Sequence, residues 1–254
     1  MIKMDEILYD LNGGVATITF NRPAQLNAMS SGGMKQLFEA LRRFDADDQA
    51  HVGILTGAGE RAFCVGRDLK EKMGAPFELN TVPLIGSTIE ISKPVIAAVN
   101  GSAFGGGFLF AQMCDLCIAA DHATFSIPEA KLGRGAAWAA PLINQFAPRV
   151  LMEMLLVGAP LTAQRMEAVG FVNAVVPLPE LAATARKMAL QIAANAPLAV
   201  KACRKMVRDA ASLEYPTYTE AQAKALFKHV YDSGDALEGP LAFREKRLPV
   251  WQGR

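Results

Sequence analysis

Three consecutive glycines, Gly105-Gly106-Gly107, divide one long apolar stretch of the sequence in two and restrict what can be built around them. Upstream, Pro94 to Val99 is a short run rich in β-branched residues that Asn100 and Gly101 break; downstream, the apolar residues are spaced as in a buried helix. The pattern predicts a strand, a glycine turn and a helix. Backbone without side chains admits a ligand closely, and the unpaired N–H groups of a helix's first turn can receive developing negative charge. Glu129, after Pro128, lies on a run expected to sit beside that turn. One carboxylate next to an oxyanion-binding turn is the chemistry these residues point to. For the glycines taken alone, the alternative is close strand–helix packing with Glu129 as a surface acid.

The rest of the chain repeats the theme. Ile7 to Leu11 and Val15 to Phe20 flank Asn12-Gly13-Gly14, and Val15, Thr17 and Thr19 alternate against Ala16, Ile18 and Phe20, which predicts a hairpin. Ser30 or Ser31 can cap a helix carrying Met34, Leu37, Phe38 and Leu41 on one face. Val52 to Thr56 and Ala62 to Val65 read as strands, the second ending at Gly66 before Arg67-Asp68-Leu69-Lys70. Gly74, Pro76 and Pro83 make the following stretch discontinuous. Two short strands thus run into glycine twice, at Gly66-Arg67 and at Gly105-Gly106, as in a repeated β–β–α unit. Parallel neighbours would put both turns at one edge, where a pair of backbone donors can hold an oxyanion.

After Glu129 the chain becomes Gly-, Ala- and Pro-rich around Trp138 and then helical. Leu151 to Val157, a short helix capped by Thr162, a strand from Phe171 to Val176, and helices over Glu180 to Ala196, Leu198 to Ala211, Thr219 to Asp232 and Asp235 to Arg247 are expected. Leu181, Ala185, Met188 and Ile192 mark one apolar face, and Val200, Cys203, Met206 and Val207 another. Apolar helices of this kind commonly pack on a partner, so an oligomer is expected.

Composition removes several function classes. A formal net charge of +1 with mixed signs argues against a nucleic-acid surface. No apolar run reaches the ~20 residues of a membrane span, and the acidic N-terminus lacks a signal-peptide core, so no membrane and a cytoplasmic location are expected. Cys114 and Cys117 have metal-like spacing without a second ligand pair, which leaves them as buried thiols and the metal assignment as none. No P-loop, dinucleotide fingerprint or Gly-x-Ser-x-Gly elbow is present.

Several motifs in order carry a resemblance. They are Asn21-Arg22-Pro23 with Leu26-Asn27-Ala28, then Ala62 to Lys70, then Lys93 to Gly101, then Gly105-Gly106-Gly107 with Cys114-Asp115. Phe125 to Glu129 with Gly133, and Glu238-Gly239 with Phe243 to Arg247, follow. The chain resembles the crotonase, or enoyl-CoA hydratase/isomerase, superfamily over essentially its whole length, and its tail from Asp235 to Arg254 resembles that of carnitinyl-CoA dehydratase-type members. The resemblance implies an α/β fold: a crotonase-like spiral of ββα units with the active site over 1–178, and a C-terminal helical trimerisation region over 179–254. It also implies an acyl-CoA thioester as substrate, with coenzyme A part of that substrate and no separate cofactor, and a homotrimer or hexamer.

Carried over by position, the resemblance puts the oxyanion hole on the backbone N–H groups of Arg67 and Gly106 and the acid/base on Glu129. Lys70 falls where coenzyme A phosphates are met, and Phe243 and Lys246 where a neighbouring protomer's ligand is reached. Trp138 is expected to line the pocket and limit acyl length, with a plain core role as the alternative. Two positions depart from the pattern: Arg67 replaces a small residue, and Leu109 replaces the first glutamate of two-base hydratases. One carboxylate can act as sole acid/base in a hydratase or dehydratase if backbone groups near Ala136 or Ala137 hold the water. It can also move a proton between carbons as in the Δ3,Δ2-enoyl-CoA isomerase branch. A thioester-binding member without activity is the third alternative.

Overall fold

The alternating residues of the N-terminus form the expected hairpin, β1 (Ile7–Asn12) and β2 (Val15–Phe20), antiparallel around Gly13 and Gly14 at φ of 58° and 78°. The structure is a computed structural model that describes residues 5–71, 81–195, 197–213, 228 and 232–250. The stretch around Gly74 and Pro76, most of the helix expected from Thr219 to Asp232, and the tail from Trp251 to Arg254 lie outside the described residues.

After β2 each turn of the chain gives one strand to each of two sheets. The pairs are β3 (Val52–Gly57) with β4 (Ala62–Cys64), β5 (Val95–Val99) with β6 (Ser102–Phe104), and β7 (Leu116–Ala120) with β8 (Thr124–Ser126); β9 (Leu161–Thr162) and β10 (Ala174–Val176) follow. The larger sheet runs β1-β2-β3-β5-β7-β10, parallel from β2 onward, and the smaller runs β4-β6-β8-β9, parallel except at β9. This is the expected spiral of ββα turns, each burying its apolar face on the next. All five residues of β5 are buried, which is why that strand reads as a continuous apolar run.

Helices close the layers. Ser30 is the cap of α1 (Ser31–Ala46): its Oγ accepts the Gly33 N–H at 2.9 Å, and Met34, Leu37, Leu41 and Phe44 are buried. The helix opened by the glycines, α2 (Gly106–Gln112), is buried on almost every side. After α3 (Pro148–Val157) and α4 (Ala163–Ala168), the expected strand from Phe171 narrows to β10. Met166 O accepts the N–H groups of Phe171 and Val172, and the Phe171 ring packs on Phe108 and Phe125 at 5.0 and 5.6 Å between centroids. Helix α5 (Leu178–Ala193) lies on β3, β5 and β7 through Leu181, Ala185 and Ala189, and starts ahead of Glu180 because Pro177 and Pro179 suit a helix's first turn. Helix α6 (Pro197–Leu213) is pinned by Arg204 and Arg208, which bond the Asp115 carboxylate at 2.8 and 3.0 Å; Asp115 also accepts the Val95 N–H at 2.9 Å. Met206 and Val207 of α6 remain exposed. The last helix, α7 (Asp235–Glu245), lies so close to residues 129–132 that a methyl on Gly239 would overlap the Leu132 carbonyl. No helix of the described residues is long and apolar enough to cross a membrane.

One contact sets the spacing of the smaller sheet and α2. A methyl on Gly107 would overlap the Cys64 carbonyl oxygen, backbone against backbone, with no flexible side chain to yield. Gly107→Ala is therefore expected to cost at least about 3 kcal/mol. Denaturant unfolding checks this; a midpoint equal to wild type would contradict the close approach.

Candidate active site

The strands β4, β6 and β8 are parallel neighbours, with a register shift in β4 between Ala62 and Cys64 that sets Cys64 beside Ala103; Phe104 lies beside Ser126, so the three end at the same edge. Gly66-Arg67, Gly105-Gly106 and Pro128-Glu129 leave that edge together. This is the geometric content of the repeated strand–glycine pattern.

Two buried asparagines hold the first of these segments. Asn27, at a left-handed φ of 58°, gives its amide to Ala58 O and Ala62 O at 3.0 and 2.7 Å, and Asn100 gives its amide to Gly59 O at 2.7 Å while accepting the Gly57 N–H at 3.0 Å. Together they clamp the β3–β4 turn. Next, Met29 accepts from Asp68 N (2.9 Å) and donates to Gly66 O (2.8 Å), while Arg22 pairs with Asp68 at 3.0 Å. Residues 66 and 68 are thus fastened on one side, which turns the Arg67 N–H to the other, as in any extended bridge. Gly66 has φ of 88°, and a methyl there would stand 3.0 Å from Gly106 N. Gly106 begins α2, so its N–H has no partner within the helix. Neither the Arg67 nor the Gly106 N–H donates to a protein acceptor among the described residues. Gly105, at φ 52° and ψ −121°, is in a conformation open to glycine, and its own N–H is taken by Ser126 O at 2.9 Å.

Glu129 starts a 3-10 helix, Glu129–Leu132, that ends at Gly133 with φ of 62°. A methyl on Gly105 would lie 3.1 Å from Glu129 Oε1. The residue as a whole is half-buried, yet Oε2 is inaccessible and has no hydrogen-bond partner among the described residues. Oε1 accepts the indole N–H of Trp138 at 3.0 Å. Burial disfavours the carboxylate and pushes the Glu129 carboxyl up to about 7, against opposing hydrogen bonds from its backbone and from Trp138. The result is a carboxyl that can give or take a proton near neutrality, beside two unpaired N–H groups.

The other residues singled out from sequence divide into two groups. Leu109 is buried on α2, one turn past Gly105, to whose carbonyl its N–H bonds at 3.0 Å. Trp138, expected as pocket lining, is buried edge-on to Phe108 at 6.1 Å and bonded to Glu129, a contact sequence reasoning missed. Ala136 and Ala137 are buried at the start of the 3-10 helix Ala137–Asn144 that carries it. Arg67's side chain is half-buried. Lys70, Phe243 and Lys246 are not gathered into this cluster: Lys70 is exposed at the end of an Asp68-capped turn, and Phe243 and Lys246 are exposed at the end of α7. Surface hollows of about 220 Å³ beside Asn27 and Arg61 and about 240 Å³ between Lys93 and Lys201 include neither Glu129 nor the glycine turns.

Comparison with known proteins identifies relatives of the whole chain. The sequence model described as enoyl-CoA hydratase/isomerase matches residues 10–254. A carnitinyl-CoA dehydratase of Proteus mirabilis is 40% identical over 252 residues, 95% of this chain and 96% of that protein. The crystal structure of a carnitinyl-CoA hydratase from Mycobacterium avium superposes with a TM-score of 0.88 at 34% identity, covering 99% of this chain and all of the other. A methylmalonyl-CoA decarboxylase structure superposes at 0.87 with 31% identity over the whole of both chains.

The raised carboxyl makes folding stability depend on pH. With a folded-state value of about 7 above an unfolded value near 4.5, the folded state holds the extra proton between those limits. Stability therefore falls as pH rises through that window, by up to about 3 kcal/mol. Glu129→Gln removes the titration, so its stability relative to wild type should grow between pH 5 and pH 8 in urea melts; parallel curves for the two proteins would contradict the buried carboxyl.

Proposed function

This chain belongs to the enoyl-CoA hydratase/isomerase family, and from that premise we propose that it works on acyl-CoA thioesters with Glu129 as its single proton-transfer group. As a family member it is a hydratase/dehydratase-like enzyme of CoA thioesters. The observation that carries the finer reading is the partnerless, buried Oε2 of Glu129 next to the unpaired N–H groups of Arg67 and Gly106.

In this reading the two N–H groups receive the thioester carbonyl oxygen. An α-proton of a thioester is a poor acid until charge on that oxygen is stabilised, and one such donor contributes ~3–4 kcal/mol. Glu129 Oε2 takes the α-proton, because the Trp138 N–H occupies Oε1. The electron pair left on the α-carbon moves onto the carbonyl oxygen as an enolate. Its collapse expels the β-hydroxyl, which leaves as water with the proton returned from Oε2. Hydration is the reverse. One carboxyl thus conserves its proton over the cycle, and a value near 7 suits both directions. Coenzyme A enters as part of the substrate. Lys70, and Phe243 and Lys246 of a neighbouring protomer, are proposed to meet it. The exposed apolar side chains of α6 support a homotrimer or hexamer that brings them there.

A second reading rests on a specific pair of observations: Leu109 is apolar where a second carboxylate would hold water, and Trp138 uses one Glu129 oxygen that could otherwise do so. Both favour carrying a proton from the α-carbon to the γ-carbon, the isomerase chemistry. Products from 2-enoyl-CoA and 3-enoyl-CoA, resolved by chromatography, separate the two: a 3-hydroxyacyl product means hydration, interconversion of the two enoyl species means isomerisation. Glu129→Gln keeps shape and hydrogen bonding without a titratable proton. It should lower kcat by about 10²–10⁴ while calorimetric thioester affinity stays near wild type. Wild-type turnover by the variant would refute the assignment, and no turnover by the wild type on any enoyl-CoA would leave a thioester-binding member.

A further inference from the structure

Trp138 is fixed at three points. Its indole N–H donates to Glu129 Oε1 at 3.0 Å, its ring stands edge-on to Phe108 at 6.1 Å, and its backbone carbonyl accepts the side-chain amide of Gln112 at 3.2 Å. Phe108 and Gln112 are four residues apart on α2 and so share a face. Gln112 is itself buried, at 7% exposed, and its backbone carbonyl accepts the Gln145 amide at 3.4 Å. A polar side chain in this all-apolar helix costs free energy that its packing does not return, since Gln112 Oε1 has no partner among the described residues. Only its N–H can face a carbonyl, so the amide is oriented and its one bond goes to the residue that touches Glu129.

We propose that Gln112 is a positioning residue for the site, holding the backbone of Trp138 so that the indole N–H stays on Glu129 Oε1 and the proton is left to Oε2. The proposal rests on the reading of Glu129 as acid/base for its catalytic consequence, but its geometric part stands apart from it. Gln112 sits one helical turn past Leu109, so α2 supplies no carboxylate here and instead steers the remaining one through Trp138. Neither α2 nor the 3-10 helix Ala137–Asn144 carries a charged residue. On the elements packed against residues 129–132, the charged groups Lys131, Arg149, Glu153, Arg244 and Glu245 are exposed and Glu238 is paired with Arg247, while Arg67 and Arg134, the latter with its backbone N–H on Glu129 O at 2.9 Å, are half-buried. The shift at Glu129 comes from burial, a backbone hydrogen bond and the Trp138 N–H, so loosening the indole N–H should act on it directly. It withdraws a bond that favours the carboxylate, and the Glu129 midpoint should rise.

The chain has two tryptophans, so Trp251→Phe leaves Trp138 as the reporter of Glu129 ionisation. Its fluorescence in the free protein should titrate near neutrality, and Glu129→Gln should abolish that transition. Adding Gln112→Met, of similar length but without an amide, should raise the midpoint by roughly half a pH unit or more. The ascending limb of kcat against pH should follow, with KM little changed. In a Trp138→Phe background, Gln112→Met should move the rate profile no further. An unmoved fluorescence midpoint, showing that Phe108 packing alone fixes the indole, would overturn the proposal; so would an equal shift in the Trp138→Phe background. A moved midpoint with an unmoved rate profile would keep Gln112 as the positioner of Trp138 and remove Glu129 from the chemistry.

Discussion

Everything at the site depends on how closely α2 lies on β4. Gly107 rests against the Cys64 carbonyl with no room for a methyl, and that contact carries Gly106 to the backbone of Gly66 and Gly105 to the Glu129 carboxyl. The approach is possible because three successive residues have no side chain, and its position is set by strands that end together at one edge. Polar backbone brought this close would ordinarily pair with itself. Here Met29 and Ser126 take up the neighbouring groups, and the N–H groups of Arg67 and Gly106 are left without a protein acceptor among the described residues.

The second constraint is the cost of burying a carboxyl. Leu109 is buried and apolar on α2, and desolvation is the one effect that raises the Glu129 carboxyl. Trp138 offsets part of it with a neutral donor, which keeps the group near neutrality without neutralising it. An ammonium or guanidinium in that place would hold the carboxylate ionised and unable to act as an acid. Indole N–H is a donor only, so it also fixes which oxygen it occupies.

Much of this was legible in the sequence, for physical reasons. The hairpin, α1 and β5 announce themselves through polarity of period two, a serine cap and a continuous apolar run, and the glycine turns through residues that no other side chain could replace. The ββα repeat and the shared edge followed from the recurrence of strand then glycine. What escaped was short or non-local. Strand β6 is only Ser102–Phe104, too brief for any period to show, and β7 hides its two-fold alternation because nearly all its residues are buried. Asn100 was legible as a strand breaker, whereas the clamp that Asn27 and Asn100 place on Ala62 spans 35 and 38 positions. The Trp138–Glu129 bond spans nine, across a left-handed Gly133 that folds two 3-10 helices together, and nothing in the intervening residues announces it. Phe171 reads as strand and serves instead as the core of an aromatic cluster.

The central claim is that Glu129 exchanges the proton on the α-carbon of a thioester whose carbonyl is held by the glycine-edge N–H groups. That exchange can be watched without any net reaction by incubating a saturated acyl-CoA such as butyryl-CoA with the protein in deuterium oxide and following deuterium at the α-carbon by mass spectrometry. The account predicts incorporation by the wild type that rises with pH through about 7 and is absent with Glu129→Gln; incorporation by Glu129→Gln at the wild-type rate would contradict it.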